Sequence, residues 1–302
     1  MPARRSFGGV LGICDFRHKT PRQSHISLTP AMRDRLGPSK IPHCGEGPGF
    51  SGQNKMNNKI ERLIAAIQFL TIIPMGKPAI YDPRGMIPYF PIVGLIIGTL
   101  LSIFDYVALK LWSEPVVAVL DVVFLVVITA ALHLDGLGDT ADGLLGHHSR
   151  EKALSIMKDS RIGVMGLVAI VCGLAVKWGG ILHLDANRAL LIALIPAYAR
   201  SGMVFGIRFL AYGRPDGGTG QDCFSEPLKP YAFCGLLIPV AFSYFLGWQG
   251  IWLNFCFIFI TSTILFYYNK RIGCITGDML GTMTEVTESM LFLLVSMGSY
   301  SC

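Results

Sequence analysis

The chain has 302 residues, 52% of them hydrophobic and only 15% charged, with a mean hydropathy of +0.50. Soluble domains carry about 25% charged residues, so this composition excludes an ordinary soluble fold and points to a membrane protein. The net charge of +6 sits in residues 1–55, with nine Lys/Arg against three Asp/Glu; residues 56–302 balance at 17 of each, so the excess is no sign of nucleic-acid binding.

Residues 1–55 are rich in Gly, Pro, Ser and Arg and lack apolar periodicity. Such a segment buries too little surface to offset the entropy of ordering, so it reads as a disordered or non-native N-terminal extension. Its apolar stretch Phe7–Cys14 is broken by glycines and precedes no cleavage site, which argues against a signal peptide despite Arg4-Arg5. Met56 opens a more ordinary sequence, MNNKIERLIAAIQFLTIIP, and is the expected principal start, with residues 56–302 forming the membrane-embedded domain. The eight cysteines form no CxxC pair and support neither a zinc site nor a disulfide framework.

Ile60–Pro74 is too short to span and reads as a shallow or re-entrant helix. Six later segments reach spanning length: Phe90–Leu111, Pro115–Leu134, Val164–Leu184, Ala189–Leu210, Tyr231–Gly247 and Ile251–Tyr268. A seventh, Met279–Met297, is amphipathic and carries Glu285 and Glu288. The predicted fold is an all-α polytopic bundle of about six or seven transmembrane helices. Twelve basic residues (Lys59, Arg62, Lys77, Arg84, Arg150, Lys152, Lys158, Arg161, Arg214, Lys229, Lys270 and Arg271) then fall on one side, against Lys110 and Arg188 on the other. The positive-inside rule makes the first side cytoplasmic.

Three stretches collect on that side: 135-DGLGDTADG-143, 212-YGRPDGGTG-220 and the start of 277-GDMLGTMTEVTE-288. Asp135, Asp139 and Asp142 are spaced i, i+4, i+7 and share an arc of roughly 60° on a helix. Carboxylates crowded near lipid repel one another and tend to take up protons. A divalent cation resolves the conflict, and oxygen-only donors suit Mg²⁺ or Mn²⁺. Gly136, Gly138 and Gly143 leave room for a substrate to approach the backbone. The alternative is a solvated acidic helix end. His133, His147 and His148 read as interfacial or solvated.

Asp278 and Glu285 form a second acidic group, with Glu288 one turn on. Carboxylates inside an apolar stretch are functional by default; the alternative is pairing with a base such as Arg200 or Arg208. Arg200 lies within the fourth span, and Arg161 and Arg214 lie nearer the surface. Guanidinium forks match phosphate oxygens. Carboxylates, cation and arginines together are the parts of a phosphoryl-transfer site, although no P-loop, kinase set or nucleophile elbow is present.

The stretch 133-HLDGLGDTADGL-144 followed by 157-MKDSRIGVMG-166 resembles the signature of the cobalamin-5′-phosphate synthase (adenosylcobinamide-GDP ribazoletransferase) family. Ala66–Pro74, 88-PYFPIVGLIIG-98, 198-YARSGM-203, 209-FLAYGRPDGGTG-220 and 277-GDMLGTMTEVTE-288 agree in order, so the resemblance covers Met56 to Met297. Residues 1–55 have no counterpart, and Ile72-Ile73 stands where the family has a more polar residue before the proline. The resemblance implies Mg²⁺-dependent transfer from adenosylcobinamide-GDP to α-ribazole or its 5′-phosphate. The ribazole 5′-hydroxyl attacks, GMP leaves, and adenosylcobalamin or its 5′-phosphate forms. It also implies a multi-pass protein of the cell inner membrane, with its active site facing the cytoplasm and association with other corrinoid-assembly enzymes.

Residue type and sidedness fit that reaction, with Asp135, Asp139 and Asp142 as the expected metal ligands. Asp278 and Glu285 are candidates for a second ion or for the general base. Asp159 is a further catalytic candidate, or an anchor for Arg161. Arg161, Arg200 and Arg214, with Gly136 and Gly143, are the expected substrate-binding residues. CDP-alcohol phosphotransferases share the chemistry, but their motif places an Ala-Arg pair after the first Asp-Gly, and here 144-LLGHHSR-150 follows Gly143. A cation-coupled transporter is a second alternative; no internal repeat supports it.

Overall fold

The computed structural model describes residues 51–76, 82–146, 148–159, 161–184, 187–214 and 221–297, with side chains from residue 59 onward. The expected N-terminal extension lies almost wholly outside them. Helix α1 (Ser51–Leu70) is followed by α2 (Pro83–Met86), a 3₁₀ turn (Ile87–Tyr89) and α3 (Phe90–Ala108). Next come α4 (Glu114–Ile128), α5 (Leu132–Leu144), α6 (Arg150–Ile156), α7 (Val164–Leu182) and α8 (Arg188–Phe209). After 3₁₀ segments come α9 (Leu237–Ser243), α10 (Trp248–Arg271) and α11 (Gly277–Ser296). Among the described residues there is no strand, only a bridge between Tyr212 and Ile275 that ties the end of α8 to the start of α11.

Proline opens several of these helices at the position where its missing N–H costs nothing: Pro83 in α2, Pro91 in α3 and Pro115 in α4. In α8 Pro196 sits inside the helix. Its neighbourhood is where α3 comes closest. A Cβ on Gly94 would overlap Pro196 O and Ala197, and one on Gly98 would overlap Ala193 O. Gly94-x-x-x-Gly98 is the small-residue spacing that lets membrane helices touch backbone to backbone. α8 is buried along nearly its whole length, as is α11, which packs against α5, α7, α8 and α10. α7 and α10 present apolar outer faces, among them Val164, Val168, Val171, Phe255, Phe259 and Phe266. Exposed apolar faces of this kind are lipid-facing surfaces.

The span count is lower than expected. Among the described residues four helices are long and apolar enough to cross a membrane: Pro83–Ala108, Val164–Leu182, Arg188–Phe209 and Trp248–Arg271. α4 and α5 make a fifth only if counted as one span, because the chain turns 88° between them. The expected span Pro115–Leu134 therefore stops at Ile128, and the turn is made by two left-handed residues, Ala130 (φ 49°) and Ala131 (φ 57°). Left-handed alanine costs about 1–2 kcal/mol per residue, so the surrounding packing must impose it. The expected span Tyr231–Gly247 is a run of 3₁₀ turns around the short α9. The amphipathic seventh, α11, has the length of a span, but its carboxylates make it a central helix of the bundle.

Gly98→Leu should drive α3 off α8. The expected loss is about 1–3 kcal/mol of stability, read as a lowered Tm in detergent, with no comparable change for a substitution at lipid-facing Val171.

Candidate active site

α5 is too short to cross a membrane, with 13 residues reaching roughly 20 Å, and after its bend it runs alongside α7, from His133 beside Lys177 to Asp142 beside Gly163 and Gly166. Asp135 is exposed on it; Asp139 and Asp142 are half-buried. The two motifs of the acidic stretch meet at Asp142. Its Oδ2 accepts a hydrogen bond from Gly163 N–H (2.6 Å) and its Oδ1 one from Gly166 N–H (2.8 Å), at the first turn of α7. A helix N-terminus carries free donors and a positive dipole end, so a carboxylate is well placed there. Side chains at Gly163 or Gly166 would strike the Asp142 carboxylate, which explains the glycines of 157-MKDSRIGVMG-166.

α11 brings the fourth carboxylate. Asp278 lies in its first turn, and Thr276 caps that turn by accepting from Met279 N–H. A Cβ on Gly136 would sit 2.6 Å from Asp278 O, so α5 touches α11 there. Thr282 Oγ1 donates to Gly136 O (2.8 Å) at the same crossing. Arg214, held beside α11 by the Tyr212–Ile275 bridge, forms an ion pair with Asp278 and donates to Met157 O (3.1 Å). Burial, then Asp135 and Asp278, push the Asp139 carboxyl up to about 6, with Arg214 opposing them and Asp142 adding to the rise. Burial also raises Asp278, against the pull of Arg214. Four carboxylates thus share one neighbourhood with one arginine. Beside them is a cleft of about 120 Å³, with Asp135 and Asp278 among its lining and Phe69, Phe90, Met203 and Ile207 as apolar walls.

Other expected site residues lie elsewhere. Glu285 and Arg200 belong to a buried ion cluster: Lys177 Nζ pairs with Glu285 and with Glu288 (2.9 Å), and Arg200 Nη1 pairs with Glu288 (2.8 Å). Of the two bases weighed as partners, Arg200 is used and Arg208 is exposed. Glu285 therefore has a lysine as its cation, and the Arg200 guanidinium is committed to Glu288 and Pro196 O. Asp159 and Arg161 form an exposed pair (2.6 Å), which lowers the Asp159 carboxyl through the Arg161 hydrogen bonds. The room expected for substrate at Gly136 is filled by the α11 backbone, and at Gly143 by Met157 and Ala153 O. His147 and residues 215–220 lie outside the described residues.

His133 is buried at 2% exposure rather than solvated, and neither ring nitrogen has a hydrogen-bond partner among the described residues. Lys177, in mid-span of α7, went unread in the sequence, although an ionisable residue at that depth is itself a signal. So did Asp105 and Asp121, which pair with Arg188 at 2.6 and 3.4 Å.

The donor chemistry fits a hard divalent cation: oxygen only, with negative charge in excess of its local counterions. Asp135 and Asp139 are the carboxylates best placed, since Asp142 already spends both oxygens on α7 and Asp278 is paired with Arg214. Among the described residues no three such side chains are drawn together at ligating distance.

Fold and site together define a multi-helix membrane protein with a carboxylate-lined cleft at one end of its bundle. The sequence profile of the cobalamin-5-phosphate synthase family matches residues 62–296, and the chain belongs to that family. It is 35% identical over 241 residues to an adenosylcobinamide-GDP ribazoletransferase of Thermoanaerobacter sp. (strain X514), covering 76% of this chain and 94% of that protein. It is 36% identical to proteins of the same description from Roseiflexus sp. (strain RS-1), over 74% of this chain and 84% of that one, and from Alkaliphilus metalliredigens (strain QYMF), over 81% and 99%. No solved structure matches the chain.

Lys177→Met leaves Glu285 without its cation and removes one of the two that serve Glu288. Breaking a buried ion pair costs about 3–5 kcal/mol. The expected result is a marked fall in Tm in detergent, partly restored by adding Glu285→Gln.

Proposed function

We propose that this protein is an adenosylcobinamide-GDP ribazoletransferase of the cytoplasmic membrane, working at its cytoplasmic face. One observation supports this most: carboxylates from α5 and α11 crowd together beside an apolar cleft, with Arg214 among them. Family membership and the names of the relatives supply the substrates. Loop charge supplies the sidedness.

In the proposed reaction a ribose hydroxyl of α-ribazole attacks the phosphorus joined to cobinamide. The bond from that phosphorus to the GMP oxygen breaks, and GMP leaves. When the acceptor is the 5′-phosphate, that phosphate is retained in the product. The attacking oxygen is then another ribose hydroxyl rather than the 5′-hydroxyl that the resemblance implies. Asp278 takes the hydroxyl proton; burial makes its carboxylate a better base than a solvated one. Arg214 holds phosphate oxygens through charge-assisted hydrogen bonds. Asp135 and Asp139 would hold Mg²⁺, which when bound would neutralise phosphate charge. The apolar walls exclude water, the competing nucleophile. Asp142 fixes α5 against α7 and so sets the direction of Asp135 and Asp139. Other corrinoid-assembly enzymes are proposed as partners, since donor and acceptor must both be delivered to this face.

The test is a product assay on membranes containing the full chain, supplied with adenosylcobinamide-GDP, α-ribazole and Mg²⁺. Release of GMP together with a cobalamin, abolished by EDTA, supports the reading; no product from inserted protein contradicts it. Asp139→Ala should lower turnover at least about 100-fold while membrane insertion stays intact. Near-normal turnover would remove Asp139 from the site.

A further inference from the structure

A second recess, of about 210 Å³, lies beside the cleft and is built from a different set of residues. Arg62 of α1, Arg84 of α2 and Lys229 bring three cations to it; Asp82, Glu226 and Tyr231 complete the polar lining. One short segment borders both recesses. Pro88 faces this one and Phe90, two residues on, faces the cleft. Cys223 lines the cleft and donates through Sγ to Pro83 O, next to Arg84.

The cations are held ready. Arg62 pairs with Asp82 at 2.8 Å. Arg84 pairs with Glu226 at 2.6 Å and donates to Glu226 O and Pro227 O. These bonds use its terminal nitrogens and leave the buried Nε without a partner among the described residues. Lys229 and the Tyr231 ring are exposed, with no ion pair or stacked ring assigned to them among the described residues.

We propose that this recess is a guanine-nucleotide subsite that takes the GMP half of the donor. The inference rests on the transferase reading and deepens it. Arg62, Arg84 and Lys229 suit phosphate oxygens. Tyr231 offers a face on which a base stacks. Glu226 is an acceptor-only carboxylate, and guanine presents two adjacent N–H donors on its Watson–Crick edge where adenine presents an acceptor. Glu226 is exposed and already accepts from Arg84, so it meets the base edge at the rim of the recess, and the direction of its acceptors sets the preference. The nearness of the cleft leaves the pyrophosphate to reach Arg214 and Asp278 while the base is held away from the reacting phosphorus.

The experiment is equilibrium binding of GMP and AMP to the purified full chain in neutral detergent, with and without added phosphatidylglycerol. Wild-type protein should prefer GMP by at least about tenfold, and Arg84→Ala should weaken GMP by about tenfold. Glu226→Gln should erase most of the preference for GMP over AMP. Tyr231→Ala and Lys229→Ala, at exposed positions, should weaken binding without loss of Tm. Equal binding of GMP and AMP, unchanged preference in Glu226→Gln, or displacement of GMP by phosphatidylglycerol would overturn the subsite. Turnover measured on the same protein separates the two readings. Turnover without guanine preference overturns the subsite alone; neither turnover nor GMP binding overturns both.

Discussion

An ionised group inside an apolar bundle must find its countercharge within the protein, because lipid offers none. This chain meets that constraint in two ways. At mid-depth, Lys177 and Arg200 face Glu285 and Glu288, so two positive charges meet two negative ones and tie α7, α8 and α11 together. Towards the other end of α11 the balance fails. Asp135, Asp139, Asp142 and Asp278 share one neighbourhood, and Arg214 is the cation paired there. The first group closes on itself and stabilises the bundle. The second remains short of positive charge, and that shortage is what a divalent cation can meet.

Geometry keeps the second group in place. Ala130 and Ala131 turn α5 out of the line of α4, Asp142 pins it to the N-terminus of α7, and Gly136 admits α11 at backbone contact. Strained backbone persists only where packing over-determines it. Here it lies two residues before His133 and four before Asp135. The bend takes the chain out of the line of α4 and sets α5 alongside α7 and α11, from the buried ion cluster to the first turns of both helices. Catalysis by positioning requires this kind of rigid support.

The acidic stretch was legible because its spacing is unusual and its chemistry is local. The all-α class followed from composition. What escaped depends on contacts between elements. No glycine or proline marks the bend at Ala130-Ala131, so Pro115–Leu134 looks continuous. Asp142 looks like a third ligand until α7 arrives to claim both of its oxygens. Glu285 and Arg200 read as site residues because an intramembrane charge is conspicuous, yet their mutual use with Lys177 and Glu288 needs three helices to be seen together. Gly136 and Gly143 were read as clearance for substrate, but one admits α11 and the other admits Met157. Tyr231–Gly247 had the apolarity of a span but adopts 3₁₀ turns around Pro239.

The central claim is that the α5 carboxylates Asp135 and Asp139, beside Asp278 of α11, form a divalent-cation site. The most direct measurement is Mn²⁺ binding to the purified full chain by electron paramagnetic resonance, titrated in detergent without substrate. The account predicts saturable binding, competed by Mg²⁺ and lost in Asp139→Asn, while Glu285→Gln still binds the ion. Binding unchanged in Asp139→Asn, or lost only when Glu285 is altered, would place the cation elsewhere and contradict the account.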